Sequence, residues 1–151
     1  MKQDSDRMLY EQDVVEVVCK ILDQHGYKLD KVCTISERGF DIIASQTSPR
    51  RIRLYVEVKG ETSSRVNSKR YGKPFNIGQV RIHVAVALYK SAEALSLPKE
   101  DFEVRAAIAL PNNQKHRDII ERIAPALYQW DIGIFWVDGN GRVEFDSPWE
   151  L

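Results

Sequence analysis

The sequence predicts an α/β fold in which a central mixed β-sheet is covered by helices on both faces. Stretches with helical apolar periodicity alternate with short β-branched runs, in the order helix, three strands, helix, strand, helix, two strands. A chain of 151 residues, of which 43% are hydrophobic, can bury a substantial core, and no linker or internal repeat divides it. We therefore expect one domain over residues 1–151.

The first helix is predicted over residues 5–25, with Gly26 as the stop signal. Its apolar arc consists of Val14, Val15, Val17, Val18, Ile21 and Leu22. Glu11 projects near the middle of this arc, where a carboxylate is costly unless it is paired or bound to a cation. Two interpretations stay open: Glu11 lies in the first turn and reaches water, or it points into a polar site inside the protein.

A β-hairpin with an unusual set of charges is predicted between Gly39 and Gly60, with a break at residues 48–50. Alternate side chains of its second strand face opposite sides of the sheet. One side carries Leu54, Val56 and Val58, and the other carries Tyr55, Glu57 and Lys59. With the turn centred on the proline of the break, Asp41 lies opposite Glu57. Two carboxylates and a lysine would therefore meet on one face of the hairpin.

These residue types suit divalent-metal chemistry on a phosphate. Mg²⁺ prefers hard oxygen ligands and keeps several waters, so one or two carboxylates suffice as protein ligands. A bound metal polarises a phosphoryl oxygen and activates a water, and a nearby ammonium group orients that water or offsets charge on the phosphate. The alternative is an exposed hairpin face on which the charges of Asp41, Glu57 and Lys59 are simply solvated.

The spacing Asp41-x15-Glu57-x-Lys59 resembles the active-site signature of the PD-(D/E)XK nuclease superfamily, whose members share the restriction-endonuclease-like fold. Phe40 stands where the usual proline precedes the first aspartate. The resulting Gly-x-Asp form is similar to the variant found in the Holliday-junction resolvase and Mrr-type restriction branches. The resemblance implies a restriction-endonuclease-like core for this chain.

The resemblance also implies a role for each residue of the signature. Asp41 and Glu57 would bind the metal together with the backbone carbonyl of Val58, with Mg²⁺ as the cofactor and Mn²⁺ able to substitute. Lys59 would assist the attacking water. Many members bring an acidic residue from the first helix to the site, which makes Glu11 the fourth catalytic candidate.

The end of the first helix, Leu22-x3-Gly26-Tyr27, is similar to the helix ending of the resolvase branch. The match is not complete, because Glu11 stands about one helical turn further from Gly26 than the acidic residue of that branch.

Basic residues are concentrated around the hairpin. The chain is neutral overall, but residues 50–90 contain ten basic and two acidic residues, a net charge of +8, and the remainder carries −8. Such asymmetry favours binding of a phosphate backbone. The residues predicted to contact nucleic acid are Arg65, Lys69, Arg70, Lys73 and Gln79. The alternative for the polar run 63–73 is an ordinary solvated loop.

The rest of the chain is predicted to be scaffold. A second helix starts after Asn76 as N-cap, continues through residues 88–95 and carries Gln79, His83 and Lys90 on one polar stripe that could contact phosphate. A strand over 104–110 and a third helix from Gln114, kinked at Pro125, come next. Strands over 132–137 and 142–145 complete the order.

Together these observations predict a Mg²⁺-dependent deoxyribonuclease that hydrolyses phosphodiester bonds of DNA. Small size leaves little room for recognition segments, which favours a structure-selective or weakly sequence-specific enzyme. A junction-resolving enzyme would need two sites, hence a homodimer. The first alternative is a non-catalytic nucleic-acid-binding or assembly module with the same fold. The second is an α/β protein acting on small phosphorylated ligands, which the lack of a glycine-rich phosphate loop disfavours.

The remaining features concern location. No apolar run reaches the length of about 20 residues that a membrane span needs, and the first residues show no signal-peptide pattern. Cys19 and Cys33 are expected to be small buried hydrophobes, without the histidine partners of a zinc site. These features favour a reduced, cytoplasmic protein with no membrane partner.

Overall fold

The computed structural model describes residues 8–33, 39–63 and 72–151. The helices are α1 (Glu11–Gln24), α2 (Ile77–Leu95), α3 (Gln114–Glu121) and α4 (Ala124–Gln129). The strands are β1 (Lys28–Val32), β2 (Ile42–Gln46), β3 (Ile52–Val58), β4 (Glu103–Pro111), β5 (Ile132–Val137) and β6 (Val143–Asp146). None of the helices in these ranges combines the length and the apolar character that crossing a membrane requires.

The strands form a six-stranded mixed sheet whose spatial order is the chain order, β1 to β6. The central pairs β3–β4 and β4–β5 are parallel, and the pairs on either side are antiparallel. Strand β5 is buried along its whole length and most of β3 is buried, as expected for central strands covered on both faces. Strand β1 is an exposed edge strand.

Helices cover both faces of the sheet, as the sequence predicted. On one face, α1 packs Val14, Val18 and Leu22 against the β3 side chains that alternate inward, such as Leu54 and Val56. On the other face, α2, α3 and α4 cover β4 and β5. The mixed sheet between two helical layers confirms the predicted restriction-endonuclease-like α/β architecture.

Helix α1 begins later than predicted. The prediction began at residue 5, whereas the described helix begins at Glu11 after the extended N-cap Tyr10. The reason is a backbone pairing that the sequence does not reveal. Leu9 accepts a hydrogen bond from the Glu61 amide at 2.7 Å, and its own amide donates to the Glu61 carboxylate at 2.7 Å. These bonds hold the segment before Glu11 extended.

The predicted third helix is two helices. Helix α3 ends at Glu121, and α4 starts at Ala124 with Pro125 in its first turn. A proline inside a helix removes one hydrogen bond and clashes with the preceding turn, whereas it is tolerated in a first turn. The prediction of a kinked continuous helix was therefore wrong, because the chain breaks and restarts at this point.

Gly60 marks a close crossing of two chain segments. A Cβ atom at this position would lie 2.6 Å from the backbone nitrogen of Glu11 and 3.1 Å from the carbonyl oxygen of Leu9. Both contacts are with backbone, which cannot rotate away. Only glycine therefore lets the end of β3 pass directly beneath the start of α1.

We expect Gly60→Ala to lower the free energy of unfolding by about 2 kcal/mol, the usual cost of overpacking a site that cannot relax. Gly78→Ala is the matched control, because the nearest atom to its Cβ would be a side-chain oxygen at 3.4 Å and alanine suits the helix. Urea denaturation of both variants measures the difference. Equal midpoint shifts in the two variants would show that the crossing is not tight.

Candidate active site

One cavity collects most of the residues that the sequence predicted for the site. It has a volume of about 570 Å³ and opens between the start of β2, the end of β3 and helix α2. Its lining consists of Gly39, Phe40, Asp41, Glu57, Lys59, Val86, Lys90 and Glu93. The structure therefore brings Asp41, Glu57 and Lys59 to one surface.

Asp41 is held at the mouth of the hairpin. It immediately precedes β2, and the pairing of Ile42 with Val56 puts it opposite Glu57, as the hairpin pattern predicted. One of its carboxylate oxygens, Oδ2, accepts a hydrogen bond from the Val58 amide at 2.8 Å. This bond ties the carboxylate to the end of β3 and fixes its orientation toward the cavity wall.

Glu57 is a buried carboxylate with incomplete hydrogen bonding. Only 3% of the residue is exposed, and its Oε1 atom has no hydrogen-bond partner. The pKa of Glu57 is raised to about 7, first by burial and then by the negative charge of Asp41. Lys90 and Lys59 oppose this shift, as does a hydrogen bond from the Asp41 backbone amide. A cation bound beside Glu57 would therefore stabilise its ionised form.

Glu11 lies in the first turn of α1 and is not among the residues that line the cavity. It is half-buried, and burial raises the pKa of its carboxyl, followed by the charge of Asp41. Lys59 and Lys90 act in the opposite direction. The charges of the site therefore act on Glu11, while a role of its carboxylate in the site stays a prediction.

Lys59 and Val58 take their positions from β3. The Lys59 amide donates to the Ala109 carbonyl at 3.0 Å, which continues the parallel pairing with β4 and fixes the base of the lysine side chain. The Val58 side chain is fully buried in the core beneath α1. Because side chains alternate along a strand, this burial directs Glu57 and Lys59 to the opposite face, toward α2.

Two residues near the site, Lys90 and Glu61, make contacts that the sequence did not indicate. Lys90, predicted only as part of a polar stripe, forms an ion pair with Glu57 at 3.6 Å between Nζ and Oε1. Glu61 was not predicted at all, although its carboxylate accepts hydrogen bonds from the Leu9 amide and from Asn113 Nδ2 at 2.9 Å. These partners are 52 positions away along the chain, so no local pattern could have indicated them.

Of the five residues predicted to contact nucleic acid, the structure describes two, Lys73 and Gln79. Arg65, Lys69 and Arg70 lie outside the described residues. Lys73 is exposed on the approach to α2. Gln79 caps α2, because its side-chain oxygen accepts from the Asn76 amide at 2.9 Å while its own amide donates to the Asn76 side chain at 2.9 Å. Its side chain thus has a structural role, and its contact with nucleic acid stays a prediction.

The donor set fits a hard divalent cation that keeps several waters. Within residues 8–33, 39–63 and 72–151, no three His, Cys, Asp or Glu side chains are grouped so that they could hold a metal ion. Asp41 and Glu57 nevertheless line one cavity, and the buried Oε1 atom of Glu57 has no hydrogen-bond partner. Two carboxylates of this kind, completed by water, are a typical Mg²⁺ donor set, whereas an all-protein cage is not.

Comparison with known proteins places this site in a family. The family model Mrr_cat, described as "Restriction endonuclease", matches residues 7–93, which is more than half of the chain. The match includes α1, the β2–β3 hairpin and nearly all of α2, so it contains every residue that lines the cavity. Searches of curated proteins and of solved structures found no match. The chain therefore belongs to the Mrr-type restriction endonuclease family, within the PD-(D/E)XK nuclease superfamily.

Proposed function

We propose that this protein is a Mg²⁺-dependent endonuclease that hydrolyses phosphodiester bonds of DNA. The observation that carries the proposal is the shared cavity of Asp41, Glu57 and Lys59, in which a buried Glu57 oxygen has no hydrogen-bond partner. Solvated charges on an exposed hairpin would not explain a carboxylate that is only 3% exposed. Membership of the restriction endonuclease family supports the same chemistry.

The metal ligands in this proposal are the carboxylates of Asp41 and Glu57 and the backbone carbonyl of Val58, with Mn²⁺ able to replace Mg²⁺. When bound, the metal supplies a Lewis acid for the phosphoryl oxygen and lowers the pKa of a water. The hydrogen bond from the Val58 amide to Asp41 keeps this carboxylate in place before any cation arrives. The site is therefore partly organised in advance.

The remaining two predicted residues act on the water and the phosphate. Lys59 lines the cavity and carries a positive charge that can orient the attacking water or offset charge that develops on the phosphate. Glu11 supplies a further carboxylate, which acts through water and not as a metal ligand. Burial and the charge of Asp41 raise its pKa. In this proposal Glu11 accepts a hydrogen bond from a water of the metal site.

The proposed substrate is DNA, bound through the basic part of the chain. The net charge of +8 over residues 50–90 supports binding of the phosphate backbone, with Arg65, Lys69, Arg70, Lys73 and Gln79 as proposed contacts. Contacts to phosphate carry no sequence information, so we propose structure-selective or weakly sequence-specific cleavage. A binding module without catalysis is the second candidate, and the intact set of acid, acid and lysine disfavours it.

We expect Glu57→Gln and Asp41→Asn to abolish cleavage and to weaken Mn²⁺ binding at least about tenfold, because each removes a charged ligand. Asparagine keeps an oxygen that can accept from the Val58 amide, so the fold should persist. Lys59→Met should abolish cleavage but retain metal binding. Calorimetric Mn²⁺ titration and cleavage of linear, nicked, flapped and four-way DNA measure the two properties.

Asp30→Asn is the matched control for these variants, because Asp30 is exposed on the edge strand β1. Glu57→Gln, Asp41→Asn and Asp30→Asn should keep DNA binding, since no basic residue changes, and Lys59→Met removes only one of the ten basic residues of segment 50–90. If the wild-type protein binds DNA but neither binds metal nor cleaves any of the four substrates, the binding-module candidate replaces the nuclease proposal.

The raised pKa of Glu57 predicts a pH dependence of stability. The neutral carboxyl is favoured in the folded protein, so its contribution is fully present below the ordinary pKa of 4.5 and is lost as pH rises through about 7. In EDTA we expect the wild type to lose about 2 kcal/mol more than Glu57→Gln between about pH 5.5 and pH 8. Urea unfolding at the two pH values measures this difference.

Addition of Mn²⁺ should then stabilise the wild type more strongly at the higher pH, where Glu57 is ionised and can bind the cation. Glu57→Gln should show little of this effect at either pH. Parallel pH profiles for the two proteins, with or without Mn²⁺, would contradict both the buried charge and its proposed role as a metal ligand.

We also propose that the protein forms a homodimer, because a junction-resolving enzyme would need two sites. The exposed apolar residues Ile82, Val86 and Tyr89 of α2 are not the proposed interface. Val86 and, on the same helix face, Glu93 line the cavity, which must stay open to DNA.

We expect the wild-type protein to sediment with the mass of a dimer, because a junction-resolving enzyme would need two sites. Sedimentation velocity measures the mass. A wild type that sediments as a monomer across the concentration range would refute the homodimer, but would leave the nuclease proposal intact.

A further inference from the structure

Lys90 is placed between the active-site carboxylate and solvent. Its Nζ atom lies 3.6 Å from Glu57 Oε1, and 31% of its side chain is exposed. The same Nζ atom donates a hydrogen bond to the Gly39 carbonyl at 2.7 Å and lies 5.8 Å from the centre of the Phe40 ring. The lysine therefore bridges α2 and the segment that leads into β2.

The contact between Lys90 and Glu57 pairs opposite charges but is not a hydrogen bond. A separation of 3.6 Å is longer than the 2.7–3.2 Å of a nitrogen–oxygen hydrogen bond, and Oε1 indeed has no hydrogen-bond partner. The hydrogen bond that Lys90 does form is with the Gly39 carbonyl. Glu57 is therefore held by an attraction that a closer cation can replace.

A divalent cation on Glu57 and Asp41 would repel the ammonium group of Lys90 at this distance. Lysine carries its charge on a flexible four-carbon stem, and the partial exposure of this side chain allows the head group to move toward the cavity mouth.

We propose that Lys90 is an exchangeable cation: its ammonium group balances Glu57 while no metal is bound, and it transfers to a DNA phosphate when the metal occupies the carboxylates. This inference rests on the proposed nuclease function. It assigns Lys90 a substrate-binding role that depends on the metal, in contrast to a permanent clamp between α2 and Gly39. A clamp would affect stability but would affect neither metal affinity nor the metal dependence of DNA binding.

The test compares Lys90→Met, which removes the charge and keeps most of the apolar stem, with Lys90→Arg, which keeps the charge. Lys99→Met is the control, because Lys99 is exposed beyond the end of α2 and its loss changes net charge equally. Calorimetry measures the Mn²⁺ affinity without DNA at about pH 8.5, which is above the pKa of about 7 of Glu57 in the wild type. Fluorescence anisotropy measures binding of duplex DNA in EDTA and in Ca²⁺, which binds the same class of oxygen ligands.

We expect Lys90→Met to bind Mn²⁺ about tenfold more tightly than wild type, because a repelling charge is removed. The same variant should bind DNA about tenfold more weakly in Ca²⁺, with a log–log salt slope smaller by about 0.9, and should be unchanged within about twofold in EDTA. Lys90→Arg and Lys99→Met should stay close to wild type in metal affinity.

Unchanged or weaker Mn²⁺ binding by Lys90→Met would overturn the proposal, as would an equal loss of DNA affinity with and without Ca²⁺. If Lys90→Met fails to fold, Lys90→Gln replaces it with the same expected results. Failure of the nuclease proposal itself is distinguishable, because then the wild-type protein binds no Mn²⁺ before any variant is compared.

Discussion

The close crossing of two chain segments at Gly60 sets the geometry of the active site. Because residue 60 has no side chain, the backbone of Glu11 can lie directly against the end of β3. Two hydrogen bonds between Leu9 and Glu61 then hold the two segments together next to the crossing. Helix α1 covers the face of the sheet opposite the cavity, yet the charges of Asp41 and the two lysines still act on its first carboxylate. A bulkier residue at this point would separate the helix from the site.

The site is electrostatically unfavourable in the absence of a cation. Burial and the charge of Asp41 raise the pKa of both Glu57 and Glu11, so ionising either carboxyl costs more here than in water. Lys59 and Lys90 offset part of this cost for both carboxylates, and a hydrogen bond from the Asp41 backbone amide does so for Glu57. Carboxylates with a raised pKa are common at functional sites, where a bound ligand can stabilise the charged form. The two well-packed helical layers stabilise the rest of the fold and offset this unfavourable free energy.

Sequence reasoning worked where the determinants were local. The periodicity of the β-branched runs predicted the sheet, the Asn76 N-cap predicted the start of α2, and β5 matches the predicted range 132–137. The hairpin alternation correctly set Asp41 opposite Glu57. Local patterns did not reveal the late start of α1, since it depends on Glu61. Local patterns also could not predict the ion pair between Lys90 and Glu57. It joins α2 to β3, and only the packing of the core fixes how this helix is rotated against the strand.

The alternation of β3 has a consequence for how folding errors would appear. Slipping β3 by one residue against β2 would exchange its two faces. Glu57 would then enter the valine-rich core beneath α1, and a valine would replace it in the cavity. Such a molecule would lose its proposed metal ligand and gain a buried charge at the same time. The proposed activity therefore requires the correct strand register, so titration of the proposed metal site would count only correctly registered molecules.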